Sequence, residues 1–166
     1  MKTPSILIAA GQIINSAIRE KLKAKGHFNT GRLEGSIKSD VKGEVVSGEM
    51  FDYGHIVDNG TKPDRIPYNR GSGAKSSKFI YGLTAFFQSR GLSEKEAKSA
   101  AFATANVQKK EGMSTGASAR FSSTSDRNHF VKDAWTEAES KLDKAMTEGM
   151  NEIFDEEYSK QKTETI

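Results

Sequence analysis

Two short phrases punctuated by glycine constrain this chain more than anything else in it. The first is Phe28-Asn29-Thr30-Gly31-Arg32-Leu33-Glu34-Gly35-Ser36-Ile37, and the second is Phe51-Asp52-Tyr53-Gly54-His55-Ile56-Val57-Asp58-Asn59-Gly60-Thr61-Lys62-Pro63. Asn and Gly accept positive φ at little cost, and Asn and Thr side chains bond their own backbone, so Asn29-Thr30-Gly31 and Asn59-Gly60 read as enforced turns. Each phrase sets an apolar segment beside its turn, and neither has the layout of a catalytic or metal motif. The chain between them must therefore be a small, tightly turned piece lying between a helical start and a helical end.

The start reads as a helix over residues 5 to 25. Ile6, Leu7, Ala10, Ile13, Ile14, Ala17, Ile18 and Leu22 recur at three- and four-residue spacing. Pro4 suits a first turn, Lys21, Lys23 and Lys25 favour the C-terminal end of the dipole, and Gly26 is a stop. Beyond the first phrase, Ile37, Val41, Val45 and Val46 favour extended structure. Lys42-Gly43 then turns a hairpin with strands over roughly Gly35–Val41 and Glu44–Met50. In the second phrase, Phe51, Tyr53, Ile56 and Val57 supply the apolar face of a short helical turn capped by Gly60. Pro63 and Pro67 hold the following residues extended, aiming Pro63–Tyr68 outward.

Residues 69 to 77 have linker composition. Gly71-Ser72-Gly73 lacks the Gly-Lys-Ser/Thr ending of a phosphate loop. Phe79, Ile80, Leu83, Phe86 and Phe87 form one helical stripe. Ser93 with Glu96 signals a capping box ahead of a second, Ala97 to Lys110, which Gly112 ends. Together they predict a helical hairpin over 77–111. Residues 112–126 are a loop of small polar residues, read either as an insertion between neighbouring subunits, anchored by Met113 and Phe121, or as disorder. A long helix from Arg127 to about Lys160, capped by Asp126, closes the chain, with Gly149 as an interior weak point. It outruns the small sheet, so its distal half is expected either to meet another subunit or to extend alone.

Charge is uneven. Lys62 to Lys132 holds 13 basic and 5 acidic residues, whereas Glu148, Glu152, Asp155, Glu156, Glu157 and Glu164 face only Lys160 and Lys162. The two regions read either as complementary surfaces meeting head-to-tail in a ring or as solvated faces. The net charge of +3 is small for a uniform nucleic-acid-binding surface. There is no cysteine, which excludes disulfides and thiolate metal sites. The apolar run at the N-terminus is too short for a signal peptide or a membrane span. His27, His55 and His129 have no paired metal spacing, and Asp52, Asp58 and Asp64 do not match a calcium loop. Asp58 is expected to bond nearby backbone or an arginine such as Arg32. No nucleophile elbow is present, so no enzyme, cofactor or metal site is expected.

The order of these phrases, followed by His129-Phe130-Val131-Lys132-Asp133-Ala134-Trp135 opening the last helix, resembles the tail-completion, or head–tail neck, proteins of long-tailed bacteriophages. That family reads Thr-Gly-x-Leu-x-x-Ser-Ile, then Tyr-x-x-x-Val-Glu-x-Gly-Thr, then a Pro-Phe-aromatic/basic helix entry. Asp58 stands here for the Glu and His129 for the Pro. The match covers about 28–68 and 127–145, and 77–111 reads as an insertion. The resemblance implies an α+β fold, with a small, mostly antiparallel sheet packed by the first and last helices in one domain. Thr30, Gly31, Arg32, Leu33, Ser36, Ile37, Tyr53, Val57, Gly60, Thr61 and Pro63 would form its structural motif. It implies a virion structural protein at the head–tail junction, assembled in the host cytoplasm as a six- or twelve-fold ring. Its partners would be connector, neck and tail proteins, with no membrane contact. Met113, Phe121, His129, Phe130 and Trp135 are the candidate interface. Lys75, Lys78, Lys109, Lys110 and Arg120 are candidates for contact with passing genomic DNA. The alternative is a nucleic-acid-binding module built on residues 62–132.

Overall fold

The computed structural model describes residues 3–71 and 77–164. The chain forms two compact units, one of residues up to 58 together with those from 121 onward, the other of residues 59–120.

The first unit is built on two antiparallel helices, α1 (Thr3–Ala24) and α6 (Phe130–Glu164). Ile6 lies against Gly149 at one end, and Lys25 reaches Asp133 at the other. Ala134 and Ala138 are buried on α6, so small side chains set the helix spacing. Gly149 belongs to the same device: a Cβ there would stand 2.7 Å from Ile6 Cγ1. What reads in the sequence as a weak point is a place of close approach.

Between these helices in sequence come α2 (Arg32–Ser36), β1 (Lys38–Lys42), β2 (Val45–Glu49) and α3 (Tyr53–Asn59). The strands pair antiparallel from Lys38 opposite Glu49 to Lys42 opposite Val45, around a Gly43-Glu44 turn in which Gly43 has φ 61°. The hairpin rests on α1 at Gly11, where a Cβ would meet Ser39 Oγ at 2.5 Å. The chain is thus α+β, a small antiparallel sheet with an N-terminal helix and a long C-terminal one. One expectation is corrected: residues 32–36 are helical, and β1 begins at Lys38 rather than near Gly35. Leu33 and Ile37 are both buried, and their spacing of four suits a helical turn as well as an alternating strand. Ser36 Oγ settles the choice locally by donating to Leu33 O at 2.7 Å and accepting from Phe51 N at 3.1 Å. The apolar face expected on α3 is also not formed. Tyr53 and Ile56 are exposed, whereas Gly54 and Asp58 are buried and Val57 packs on the core of Leu22, Leu33, Ile37 and Phe130.

The second unit holds α4 (Lys78–Ser89) and α5 (Glu94–Glu111), the expected helical hairpin. Ser77 accepts from Phe79 N to cap α4, and Ser93 and Glu96 form the capping box of α5. The unit is wider than the hairpin. Residues 63–65 form a 3-10 turn, and Ile66 and Tyr68, instead of facing outward, are buried against Ile80, Ala101 and Ala105. Two contacts draw this segment in: Tyr68 Oη donates to Asn106 Oδ1 at 3.3 Å, and Lys109 Nζ donates to Ile66 O at 3.0 Å. Thr61 and Met113 exchange both backbone hydrogen bonds, 2.7 and 2.8 Å, and close the unit.

Candidate assembly site

A dense polar network surrounds the start of α6. The helix begins at Phe130, three residues later than its sequence suggests, because His129 takes a left-handed φ of 59°. Its first free amides are satisfied from α3: Asp58 O accepts from His129 N at 2.7 Å, and Asp58 Oδ1 accepts from Val131 N at 2.9 Å. A carboxylate here also meets the positive end of the helix dipole. Asp126, the expected cap, instead accepts from Asn128 N at 3.0 Å. Asp58 does bond backbone, but backbone 73 residues further on.

The C-terminal end of α1 meets the same region. Arg127 donates to Lys25 O at 3.1 Å and to Gly26 O at 2.9 Å, and Ser123 N donates to Ala24 O at 2.9 Å. These are carbonyls that a helix end leaves without intrahelical partners. Gly26, with φ 73°, is required here, since a Cβ would stand 2.2 Å from Phe121 O. Residues 121–126 are therefore fastened to α1, which neither reading of the 112–126 loop anticipated. Lys25 lies beneath them, 1% exposed. Its Nζ lies 2.6 Å from Asp133 Oδ2, 3.0 Å from Asp126 Oδ2 and 2.5 Å from Asn128 O. Three acceptors match the three protons of an ammonium. Burial works against the charge, but the hydrogen bonds that Lys25 donates to Asp133 and Asp126 outweigh it and hold the Lys25 pKa above its ordinary value. The Asp126 carboxyl is held below its usual range, first by the Asn128 amide and then by Lys25.

The sequence-predicted residues divide accordingly. Leu33, Ile37 and Val57 join Phe130 in one core. Gly31 and Gly60 both have φ 74°, as their turns require. Thr30, Arg32 and Tyr53 are exposed, and Thr61 and Pro63 belong to the second unit. Two interface candidates are corrected. Phe130 is wholly buried in its own unit, its ring 6.1 Å from that of His27, and Met113 packs on the core of the second unit. An apolar residue at a helix entry or a loop start looks the same in sequence whether it faces inward or outward. Phe121, His129 and Trp135 are exposed. Among the basic candidates, Lys78, Lys110 and Arg120 are exposed, Lys109 is committed to Ile66 O, and Lys75 lies outside the described residues. Most aromatic residues of 62–132 are used in packing: Tyr68 is buried, and Phe79, Phe87 and Phe102 line the same core.

Sequence reasoning missed Lys25, His27 and Arg127. The one available signal was a basic cluster at a helix end, which normally indicates a solvated terminus. Among the described residues no three His, Cys, Asp or Glu side chains stand close enough to hold a metal, and no helix is long and apolar enough to cross a membrane. The arrangement locks helix ends together. Comparison with protein-family models, curated proteins and solved structures finds no match to this chain.

Proposed function

We propose that this protein is a virion structural component of a bacteriophage head–tail junction, a tail-completion or neck protein that joins connector and tail as a six- or twelve-fold ring. The observation that carries the reading is a convergence. Of the three segments whose order resembles that family, Leu33 and Ile37 of the first, Val57 of the second, and Phe130 and Val131 of the third, which lies some seventy residues on, share one core. Asp58 of the second segment caps the helix that the third opens. On this reading the protein performs no chemistry and carries no cofactor. Its partners are neck, connector and tail proteins, and Lys78, Lys110 and Arg120 are candidates for passing contact with the genome.

The test is a phage genome from which this reading frame is deleted. Filled heads and finished tails that remain unjoined, and that join when the protein is supplied, are the expected result. Joined, infectious particles from the deletion, or absence of the protein from purified virions, would overturn the reading.

A further inference from the structure

The hairpin has two open edges, and the edge of β1 has a floor beneath it. A two-residue turn closes on a hydrogen-bonded pair, so Lys42 with Val45, Asp40 with Ser47 and Lys38 with Glu49 exchange the ladder bonds. The N–H and C=O groups of Ser39 and Val41 then point away from β2, about 7 Å apart. They have no partner among the described residues. The next carbonyl, Ile37 O, is already taken by Arg19 Nη2 at 2.5 Å. Along this edge runs a groove of about 520 Å³, between the consecutive residues 37–41 and one face of α1 made by Ile8, Gln12, Asn15 and Arg19. Arg19 stands at Ile37 and Asn15 at Ser39, which leaves Ile8, 49% exposed, toward Val41. The edge of β2 lacks such a floor at Gly48, where a Cβ would meet nothing within 4 Å. No bulge or proline interrupts β1, and its charged residues Lys38, Asp40 and Lys42 all stand on the exposed face, away from α1.

We infer that β1 takes up an extended segment of a different protein as a third, antiparallel strand laid over α1. An extended backbone is what matches the spacing of the open groups on Ser39 and Val41. In the new ladder those two become the hydrogen-bonded positions, and Lys38, Asp40 and Lys42 stand opposite the incoming side chains. The fitting segment is therefore acidic opposite Lys42, apolar opposite Val41, basic opposite Asp40, small and polar opposite Ser39, and acidic opposite Lys38. The same charges disfavour a second copy: β1 paired with itself about a twofold axis would set Lys38 against Lys42 and Asp40 against Asp40. The inference stands apart from the neck assignment.

The probe is the peptide Ser-Glu-Val-Lys-Thr-Glu-Ser, blocked at both ends and titrated to millimolar concentration into the full nitrogen-15-labelled chain. Saturable shifts of the Ser39 and Val41 amides are expected, with hydrogen exchange slowed there and not at Val46 and Gly48. Methylating the peptide's valine and threonine nitrogens, which face β1, should weaken binding at least about tenfold. Methylating its lysine nitrogen, which faces away, should not. The charge-swapped peptide Ser-Lys-Val-Glu-Thr-Lys-Ser should bind more weakly, and Lys38→Glu, Asp40→Lys and Lys42→Glu together should restore its binding. These three positions are exposed, so unchanged thermal unfolding checks that the variant is folded. No shift at Ser39 and Val41 in millimolar peptide overturns the proposal, as does binding indifferent to which nitrogens are methylated. Protection of those two amides in the free chain that disappears on dilution also overturns it, since a second copy would then hold the edge.

Discussion

His27 bonds one residue at both ring nitrogens: Nε2 lies 2.5 Å from Arg127 O, and Nδ1 lies 3.3 Å from Arg127 Nη2. A guanidinium only donates, so Nδ1 must accept, and the proton of the neutral ring sits on Nε2, donating to the carbonyl. A second proton on Nδ1 would set two donors against each other beside the charges of Arg127 and Lys25. Burial, together with those two cations, holds the His27 pKa below 6.5, against the pull of the Arg127 carbonyl. The folded pKa is depressed, so the unfolded chain takes up the proton first as pH falls. The contribution of His27 to stability is then complete above about pH 6.5 and is lost as pH drops through the lower folded value. Urea unfolding between pH 7.5 and 5 should show stability declining by up to about 1.4 kcal/mol per pH unit for this one proton. His27→Gln should flatten that slope. Nitrogen-15 NMR should find the Nε2-protonated tautomer at pH 7.5.

Much of the fold was legible because local signals agreed with one another. The capping box at Ser93 and Glu96, the stop at Gly112 and the turn at Gly43 each appear where their residue chemistry requires. What was not legible is every decision made by distant packing. Leu33 and Ile37 fit two periods, and only the bonds of Ser36 decide between them. Asp58 and Asp126 are equally good caps on paper, and which of them reaches α6 depends on where α3 lies. Lys25 is indistinguishable in sequence from Lys23, yet one is buried with three acceptors and the other is exposed.

Replacing Asp58 tests the long-range cap. Asp58→Ala strips the acceptor from Val131 N and leaves a helix-start amide in a mostly buried place. It should cost about 1–2 kcal/mol. Asp58→Asn keeps an oxygen in position and loses only the charge at the helix dipole, and its cost should be less than half as large. Chemical denaturation of both variants decides this. Equal losses would show that the charge, rather than the hydrogen bond, carries the effect.

Two of the close-approach glycines, Gly11 on α1 and Gly149 on α6, should violate helix propensity. Alanine is favoured over glycine in a helix interior by about 1 kcal/mol. At Gly149 the new methyl would meet Ile6 at 2.7 Å, and at Gly11 it would meet Ser39 Oγ at 2.5 Å. Ser39 Oγ also accepts from Asn15 Nδ2 at 2.9 Å, so the serine cannot swing away without losing that bond. Overpacking costs about 1–3 kcal/mol. Both substitutions should therefore be net destabilising, and Gly11→Ala the worse of the two, because the end of Ile6 can shift more easily. Gly35→Ala, with nothing within 4 Å, is the control and should leave the melting temperature unchanged or raise it.

Lys25 offers the strictest test of how the two helix ends are locked. Its stem is packed and its three protons are used, so Lys25→Ala removes both packing and charge, whereas Lys25→Met keeps most of the packing. Asp126 and Asp133 are themselves 58% and 43% exposed and can rehydrate, so the loss should fall below that of a wholly buried pair. About 1–3 kcal/mol for the methionine variant, and more for alanine, is expected. The pH dependence separates the charge from the stem. The folded Lys25 pKa is raised above 10.5, so its contribution is complete below that pH and is lost as pH rises through the folded value. The Asp126 carboxyl is shifted the other way, and its share is lost as pH falls below 3.8 and through its depressed folded value. Unfolding measured from pH 9 to 11.5 should show an alkaline decline in the wild type that Lys25→Met largely lacks. Parallel declines in the two proteins would mean that other groups titrate there and that Lys25 acts through its packing alone.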